Sequence, residues 1–496
     1  MQNLKPMNSI MSNRLFSPAV TQIIPNRIKR GAGYPPVCGR VASNASGEGY
    51  LWNTPPFARR PAIACARRVS ADGEYMKNLV VTLLILLAYC VPCVSLGHDF
   101  IPGAPQDKPI AIVGATLHTI SGNDFLDATL LFDAGKITHV GPGATLPSDT
   151  EVIQATGKHV YPGLIEANTD IGLVEINSVR ATIDSRETGT FNPNVQAVVA
   201  FNPDSELIPV ARANGILTAL SAPTGGLISG RSSVMNLDGW SRDDMTLRSD
   251  VAMHVRWPGN AEDLRQLTEF FEQAQRYVAA IATQQTDNAQ PRDLRLESMV
   301  PVFEQKRPVI VAVDELDAIR SAIAFKRRFG LRLIIAGGTD ACRCAEQLKR
   351  ESIPVIVSAV YSNPSRRHSR YDEAYTFPKR LHESGISFCI SAGGRFGANA
   401  IRNLPYNAAT AAAYGLSERE ALRAITLSPA EILGVNDRIG SLQVGMDATL
   451  FIADGNILET PTQVEEAFIQ GRRVDLRSRH TQLYEKYSEK YQRSEK

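Results

Sequence analysis

The feature that most constrains the fold is a series of eight apolar runs of strand length in the middle of the chain. They begin at residues 163, 215, 232, 251, 308, 331, 353 and 386, and helical patterns separate most of them. One such pattern, "DELDAIRSAIAFKRRFG", ends at Gly330, as is typical of a helix C-terminus. About 270 residues of this alternation predict an α/β fold, a (β/α)8 TIM barrel of parallel strands over 161–432. An open doubly wound sheet is the alternative.

Shorter β-rich runs flank this region on both sides. Residues 109–160 alternate such runs with turns, and residues 437–474 have the same texture. We therefore expect a small composite β-sandwich domain built from the N- and C-terminal segments. The last barrel helix has a marked start, because Ser417 and Glu420 form a capping-box pattern. Residues 475–496 are predicted to be a charged C-terminal tail.

The N-terminal region differs in composition from the rest. Residues 1–75 carry ten Lys or Arg against three acids and lack sustained apolar periodicity, so we interpret them as a mis-assigned or disordered extension. Residues 76–97, "MKNLVVTLLILLAYCVPCVSLG", have the pattern of a secretory signal peptide. A periplasmic or secreted protein is therefore expected, with membrane contact only through the signal. A cytoplasmic extension before a membrane anchor is the alternative.

Composition excludes several classes of protein. With 44% apolar and 21% charged residues, the chain is neither disordered nor fibrous. Removal of the basic N-terminal region leaves a net negative charge, and no patch has the basic density that nucleic-acid binding requires. The predicted exported part keeps three cysteines, Cys342, Cys344 and Cys389, which are expected to be buried thiols.

Two motifs carry a resemblance to a known family. "GKHVYPGLIE" begins at Gly157, and "SPAEILGVNDRIGSLQVGMDATLFIADG" begins at Ser428. Together they resemble the amidohydrolase superfamily, in particular its imidazolonepropionase-like members, over residues 109–474. The resemblance implies a hydrolase of C–N (non-peptide) bonds that uses divalent metals at the C-terminal mouth of the barrel.

The metal ligands that the resemblance implies do not match this sequence. His-x-His on the first strand matches Asn168 and Asp170, and the histidines of strands five and six match Ala312 or Val313 and Ala336 or Gly337. The aspartate of strand eight matches Gly393 or a neighbour. Because the barrel region contains only His254, His368 and His382, we expect no histidine-based zinc site. Carboxylates offer an alternative: Asp170, Asp314 and Glu315 with Asn168 would form an all-oxygen site suited to Mg, Mn or Ca.

Candidate site residues follow from their positions at predicted strand ends. Asp170, Glu315 and His254 are the candidate catalytic residues, and Asn168, Arg256, Asp314 and Arg395 are the candidate substrate-binding residues. Structural roles compete with these: Asp314 as a helix cap, Glu315 at the positive end of the same helix, and Asp170 paired with an arginine. The glycine-rich segment around Arg395 is either a surface turn or an anion site.

Three interpretations of function remain open. The protein is a C–N hydrolase with a rearranged oxygen-rich site, a non-catalytic ligand-binding relative (a pseudoenzyme), or a hydrolase that works by metal-free acid and base catalysis. No cofactor is expected. The expected partner is a small molecule, and the arginines at the mouth favour an anionic one.

Overall fold

A computed structural model describes residues 100–283, 292–358, 360–364 and 366–494 of the 496-residue chain. All of them belong to one compact unit, Ser95–Lys496. The predicted extension over 1–75 and the predicted signal peptide over 76–97 lie outside the described residues. Within the described ranges, no helix combines the length and the apolar character needed to cross a bilayer.

The central element is an eight-stranded, nearly closed barrel-like sheet. Its strands pair in chain order: β6 (Leu164–Thr169), β7 (Ile216–Ser221), β8 (Ile228–Asn236), β9 (Thr246–Arg256), β10 (Val309–Val313), β11 (Leu333–Gly337), β12 (Val355–Val357) and β13 (Phe388–Ile390). Each strand overlaps one of the eight apolar runs. The predicted α/β class with a barrel of eight strands is therefore confirmed at this level.

The prediction that all eight strands are parallel is wrong for β8. Both β7 and β9 pair with β8 in antiparallel orientation, whereas the other neighbours in this sheet are parallel. The reason is the short connection over residues 222–227, since a parallel return requires a crossover of roughly a dozen residues or more. As a result, β8 begins at the mouth of the barrel and runs away from it.

A seam remains between the two end strands, β6 and β13. Two backbone hydrogen bonds bridge it, because Ile165 N–H donates to the carbonyl of Ile425 and Ile390 N–H donates to the carbonyl of Ala424, both at 2.9 Å. Nearer the mouth, the carboxylate of Glu166 accepts hydrogen bonds from residues that follow β13. A side chain therefore joins the two edges where no strand ladder is formed.

Apolar side chains fill the barrel interior in alternate positions of the strands, as the two-residue period requires. The buried interior cluster includes Ile165, Ala167, Leu220, Val234, Ile310, Ile334, Ile356 and Cys389. A larger cluster packs the outer faces of the strands against the helices. The next inward-facing positions toward the carboxyl ends of β10, β11 and β13 are Ala312, Ala336 and Ser391, which places them at the mouth.

A second sheet combines both ends of the described chain. Its order is β16 (Arg472–Val474), β15 (Val464–Ile469), β14 (Leu450–Ala453), β5 (His159–Pro162), β1 (Ile110–Leu117), β2 (Phe125–Asp133) and β3 (Lys136–Gly141), with β4 (Glu151–Gln154) also paired to β1. The join is antiparallel between β5 and β14, where Tyr161 lies opposite Phe451. The sheet is thus composite in origin, and its description as a sandwich stays a prediction.

Most helices lie between the barrel strands in the chain, and one helix comes after the last strand of the second sheet. The α-helices are Ala197–Ala200, Leu207–Arg212, Arg242–Met245, Ala261–Thr283, Leu294–Glu297, Val300–Phe303, Leu316–Phe329, Ala345–Arg350, Phe377–Glu383, Leu404–Ala413, Glu418–Arg423, Leu427–Leu433 and Arg479–Ser494. The 3-10 helices are Arg180–Thr182, Ala341–Cys344 and Gly394–Asn403. Two sequence signals are confirmed: Gly330 ends its helix with a φ of 66°, and the Ser417 side chain accepts the N–H of Glu420.

Candidate functional site

A cavity of about 330 Å³ opens at the mouth of the barrel, where β6, β7, β9, β10 and β11 end. Four of the predicted site residues, Asn168, Asp170, His254 and Arg256, line this cavity together. Its wall is completed by side chains from the other strands and by the glycines that follow β13: Thr169, Ser229, Ala312, Ala336, Ser358, Ser391, Gly393, Gly394 and Gly397. We refer to this space as the mouth cavity.

His254 lies on β9 and is 8% exposed. Its Nε2 atom is buried and has no hydrogen-bond partner among the described residues. Burial lowers the pKa of the imidazole to about 4, because the charged form loses its hydration. The ring is therefore neutral at pH 7. A buried polar nitrogen without a partner is unusual in a folded protein and marks a position where a ligand atom can complete the bonding.

Asp170 holds the glycine-rich segment that follows β13. Its Oδ1 accepts the N–H of Ala398 at 2.7 Å. Gly397 adopts a φ of 55°, and a Cβ at this position would lie 2.5 Å from the same oxygen. Burial raises the pKa of Asp170, and the hydrogen bond from Ala398 opposes part of that rise. This carboxylate is thus half-buried and anchors the wall of the mouth cavity, while the described residues give it no arginine partner.

Glu166, two residues before Asn168, is a buried acid that the sequence analysis did not select. Its carboxylate accepts hydrogen bonds from the hydroxyl of Ser391, from Ala392 N–H at 2.9 Å and from Asn168 N–H at 3.2 Å. Desolvation in this fully buried position raises its pKa to about 7 in spite of these bonds. An isolated acid inside the apolar strand "GLIEANT" is the signal that could have identified it.

Asp314 and Glu315 do not join the mouth cavity. Asp314 lines a neighbouring cavity, where its Oδ1 accepts the hydroxyl of Thr339 at 2.9 Å. Glu315 is exposed at the N-cap position of the helix Leu316–Phe329 and makes no capping bond with its side chain. The cap expected of Asp314 comes instead from Asp340, whose Oδ2 accepts the N–H of Leu316 at 3.1 Å.

The predicted arginines have different outcomes. Arg256 is exposed at the rim of the mouth cavity, and its Nε donates to the carbonyl of Gly226 at 3.2 Å. Its terminal nitrogens make no ion pair with the described residues. The side chain of Arg395 lies outside the part of the chain that the structure describes, so its predicted role in ligand binding stays a prediction.

The donors that the described residues bring to the mouth do not fit a transition-metal centre. Zinc in proteins takes three or four N, S or O ligands. Among the described residues, no three His, Cys, Asp or Glu side chains are grouped so that they could hold one ion. Ala312 and Ala336 occupy the cavity wall at the ends of β10 and β11. The all-oxygen set is also divided, because Asp314 and Glu315 are separated from Asn168 and Asp170.

Comparison with known proteins places the chain in a family context. The sequence model described as "Amidohydrolase family" matches residues 312–474. An amidohydrolase from Thermotoga maritima MSB8 is similar in structure, with a TM-score of 0.69 and 25% sequence identity, covering 74% of this chain and 100% of that one. No curated protein sequence matches this chain significantly.

Two further solved structures resemble the chain more distantly. One is a putative prolidase from Bifidobacterium longum, with 18% identity and a TM-score of 0.46 over 75% of this chain and 95% of that one. The other is a molinate hydrolase, with 16% identity and a TM-score of 0.48 over 76% of this chain and 96% of that one. These likenesses are too weak to carry a conclusion about activity.

Proposed function

Because the chain belongs to the amidohydrolase superfamily, we propose that its mouth cavity binds a small molecule containing a C–N bond and that the protein hydrolyses this bond. The observation that carries the proposal is the meeting of Asn168, Asp170 and His254 in one cavity, with Nε2 of His254 lacking a partner among the described residues. Ligand sites are commonly cavities with a few convergent polar groups.

Each of these side chains has a role that its chemistry allows. The neutral imidazole of His254 forms a hydrogen bond with the substrate without bringing a charge into the cavity. The Asn168 amide offers a donor and an acceptor beside it. Asp170 is the candidate general base that accepts a proton from water. A general base works best when its pKa is near the operating pH, and burial raises the pKa of Asp170 in that direction.

A second candidate function is ligand binding without turnover. It is favoured by the donor set of the cavity, in which alanines stand at the ends of β10 and β11 and the described acids do not group around a metal. A barrel of this ancestry keeps its pocket when the side chains that activate water are replaced, because fold and chemistry are set by different residues.

The two functions are separated by assaying a panel of amides and lactams with the purified protein. Loss of turnover in His254→Gln, with turnover kept in the exposed control His382→Gln, supports hydrolysis at this site. If turnover is also kept after exhaustive chelation, the metal-free route is supported. Binding of a panel compound without any product release supports the second function, and equal turnover in both variants contradicts the assignment of the site.

We further propose that the protein is exported through the signal-like segment 76–97. The support is the sequence pattern alone: a positive residue, an apolar run and small residues before position 98. Mass spectrometry of the native N-terminus tests this, since cleavage near Gly97 is the expected result. Recovery of peptides from residues 1–70 in the mature protein would contradict it.

A further inference from the structure

A second cavity of about 300 Å³ lies directly beside the mouth cavity. Asp314, Thr339, Phe377 and Arg380 are among its lining residues. Ser358 and Gly394 line both spaces. The two spaces therefore share part of their wall, and we call this neighbour the side cavity.

Arg380 is the unusual residue of the side cavity. It is half-buried on the helix Phe377–Glu383, and its guanidinium lies 5.6 Å from the ring centroid of Phe377. One terminal nitrogen donates to the carbonyl of Glu373 at 3.1 Å. Its Nε is buried without a hydrogen-bond partner. The charge of Arg380 helps to lower the pKa of Asp372, but that carboxylate is hydrogen-bonded by Arg370. The guanidinium has thus lost part of its hydration without a direct ion pair among the described residues.

Other poorly exposed arginines in the described chain do have counter-ions. Arg212 pairs with Asp238, and both Arg231 and Arg307 pair with Asp250. Near Arg380, Asp372 is bound instead by Arg370, with both nitrogen-to-oxygen distances at 2.9 Å. The guanidinium of Arg380 is thus available to a carboxylate that comes from outside the chain. Arginine is well suited to binding carboxylates.

An acid restricts which anion the side cavity can take. Asp314 accepts the hydroxyl of Thr339 at 2.9 Å. A hydroxyl donor leaves the negative charge of this carboxylate in place, so a second anionic group on a ligand whose first is held by Arg380 would be repelled. Phe377 and Val357 add an apolar surface to the same wall.

We propose that the side cavity binds a monocarboxylate, with the carboxylate on Arg380 and an apolar part against Phe377. The substrate would carry its C–N bond in the mouth cavity and its carboxylate in the side cavity. The position of the hydrolysed bond rests on the proposed function. Carboxylate binding itself is measurable without turnover, so the two proposals can fail separately.

The test uses 3-phenylpropanoate as the probe, with its neutral amide and the dicarboxylate phenylsuccinate as comparisons. Calorimetry or ligand-observed NMR on the full chain measures the affinities. Removal of the charge in Arg380→Gln is expected to weaken binding of 3-phenylpropanoate about tenfold or more, as for other hydrogen bonds to charged groups. Lys379→Gln is the matched control, because it removes a cation from the same helix at a position that does not line the side cavity.

A second variant keeps the proposal testable if Arg380→Gln fails to fold. Asn363 is exposed and lines the side cavity, so Asn363→Asp adds a negative charge without disturbing the packing of Arg380. It is expected to weaken binding of 3-phenylpropanoate as well. The proposal is overturned if the wild-type protein binds the amide or phenylsuccinate as tightly as 3-phenylpropanoate, or binds none of them at millimolar concentration. Unchanged affinity in both variants would also overturn it.

Discussion

The carboxylate of Glu166 and the hydroxyl of Ser391 form a buried hydrogen bond across the seam of the barrel, between residues 225 positions apart in the chain. The same carboxylate accepts Ala392 N–H, so one side chain takes the place of a strand ladder between β6 and β13. Closure of the barrel near its mouth therefore depends on a group that titrates.

Stability is expected to fall between pH 5 and pH 8 because of Glu166. Its pKa rises from the ordinary 4.5 to about 7 in the folded state, so folding favours the protonated form. The stabilisation is complete below pH 4.5 and is lost as the pH rises through 7, which corresponds to about 3 kcal/mol at the upper end. Urea unfolding at pH 5 and pH 8 should show this difference in the wild type and a smaller one in Glu166→Gln. An equal difference in both proteins would contradict the assignment.

His254 is expected to stay neutral well below its ordinary pKa. Burial lowers its pKa to about 4, so the folded protein resists protonation of this ring. The contribution of this group to stability is present above pH 6.5 and is lost as the pH falls toward 4. In NMR spectra, the ring signal that disappears in His254→Gln should show no titration between pH 8 and pH 5.5. A midpoint near 6.5 would mean that the ring is hydrated rather than buried.

Gly397→Ala is expected to lower the free energy of unfolding for two reasons, the backbone conformation of Gly397 and the contact of the added Cβ with Asp170. Its φ of 55° with a ψ of −142° is a conformation that residues other than glycine rarely adopt, at a cost of about 1–3 kcal/mol. The added Cβ would also lie 2.5 Å from Asp170 Oδ1, and the segment would have to shift. Gly157→Ala is the control, because Gly157 has a φ of 78° and no atom within 4 Å of an added Cβ. Chemical denaturation of both variants compares a glycine that faces a carboxylate with one in open space; equal losses would show that neither the backbone of Gly397 nor Asp170 constrains this segment.

Zinc is expected to be far below one equivalent per chain in protein purified without chelators. The reason is the donor set, since the described residues at the mouth provide one imidazole and one carboxylate where three or four ligands are needed. Elemental analysis gives the stoichiometry, and a melting curve before and after chelation checks for a structural role. Stoichiometric zinc together with a lower melting temperature after chelation would refute the expectation.

The strands could be predicted from the sequence more completely than their directions. Apolar runs identify buried strands regardless of which way they run, so β8 was placed correctly and oriented wrongly. The short connection before Ile228 contained the missing information, because no crossover helix fits into it. The seam could not be predicted, since it depends on Ala424 and Ile425 meeting strands that are distant in the chain.

The candidate site was only partly predictable for a related reason. Residues that alternate along one strand share a face, so Asn168 and Asp170 were placed together, and His254 was found at the end of another strand. Asp314 lies after the end of its strand, where the alternation of faces along the strand no longer applies. Its carboxylate therefore contacts Thr339 instead of the mouth cavity. Arg380 resembles any arginine on a surface helix, and only the arrangement of nearby acids distinguishes it.

The reversal of β8 affects how the mouth is enclosed. Most rim segments leave a strand and pass into a helix, so they can lengthen or shift at little cost to the barrel. The 222–227 segment is tied at both ends to adjacent strands and supplies Ala222, Pro223, Thr224 and Gly225 to the cavity wall. The 222–227 segment therefore cannot lengthen or shift easily. Changes in ligand preference among related chains should arise in the rim segments on the opposite side of the opening.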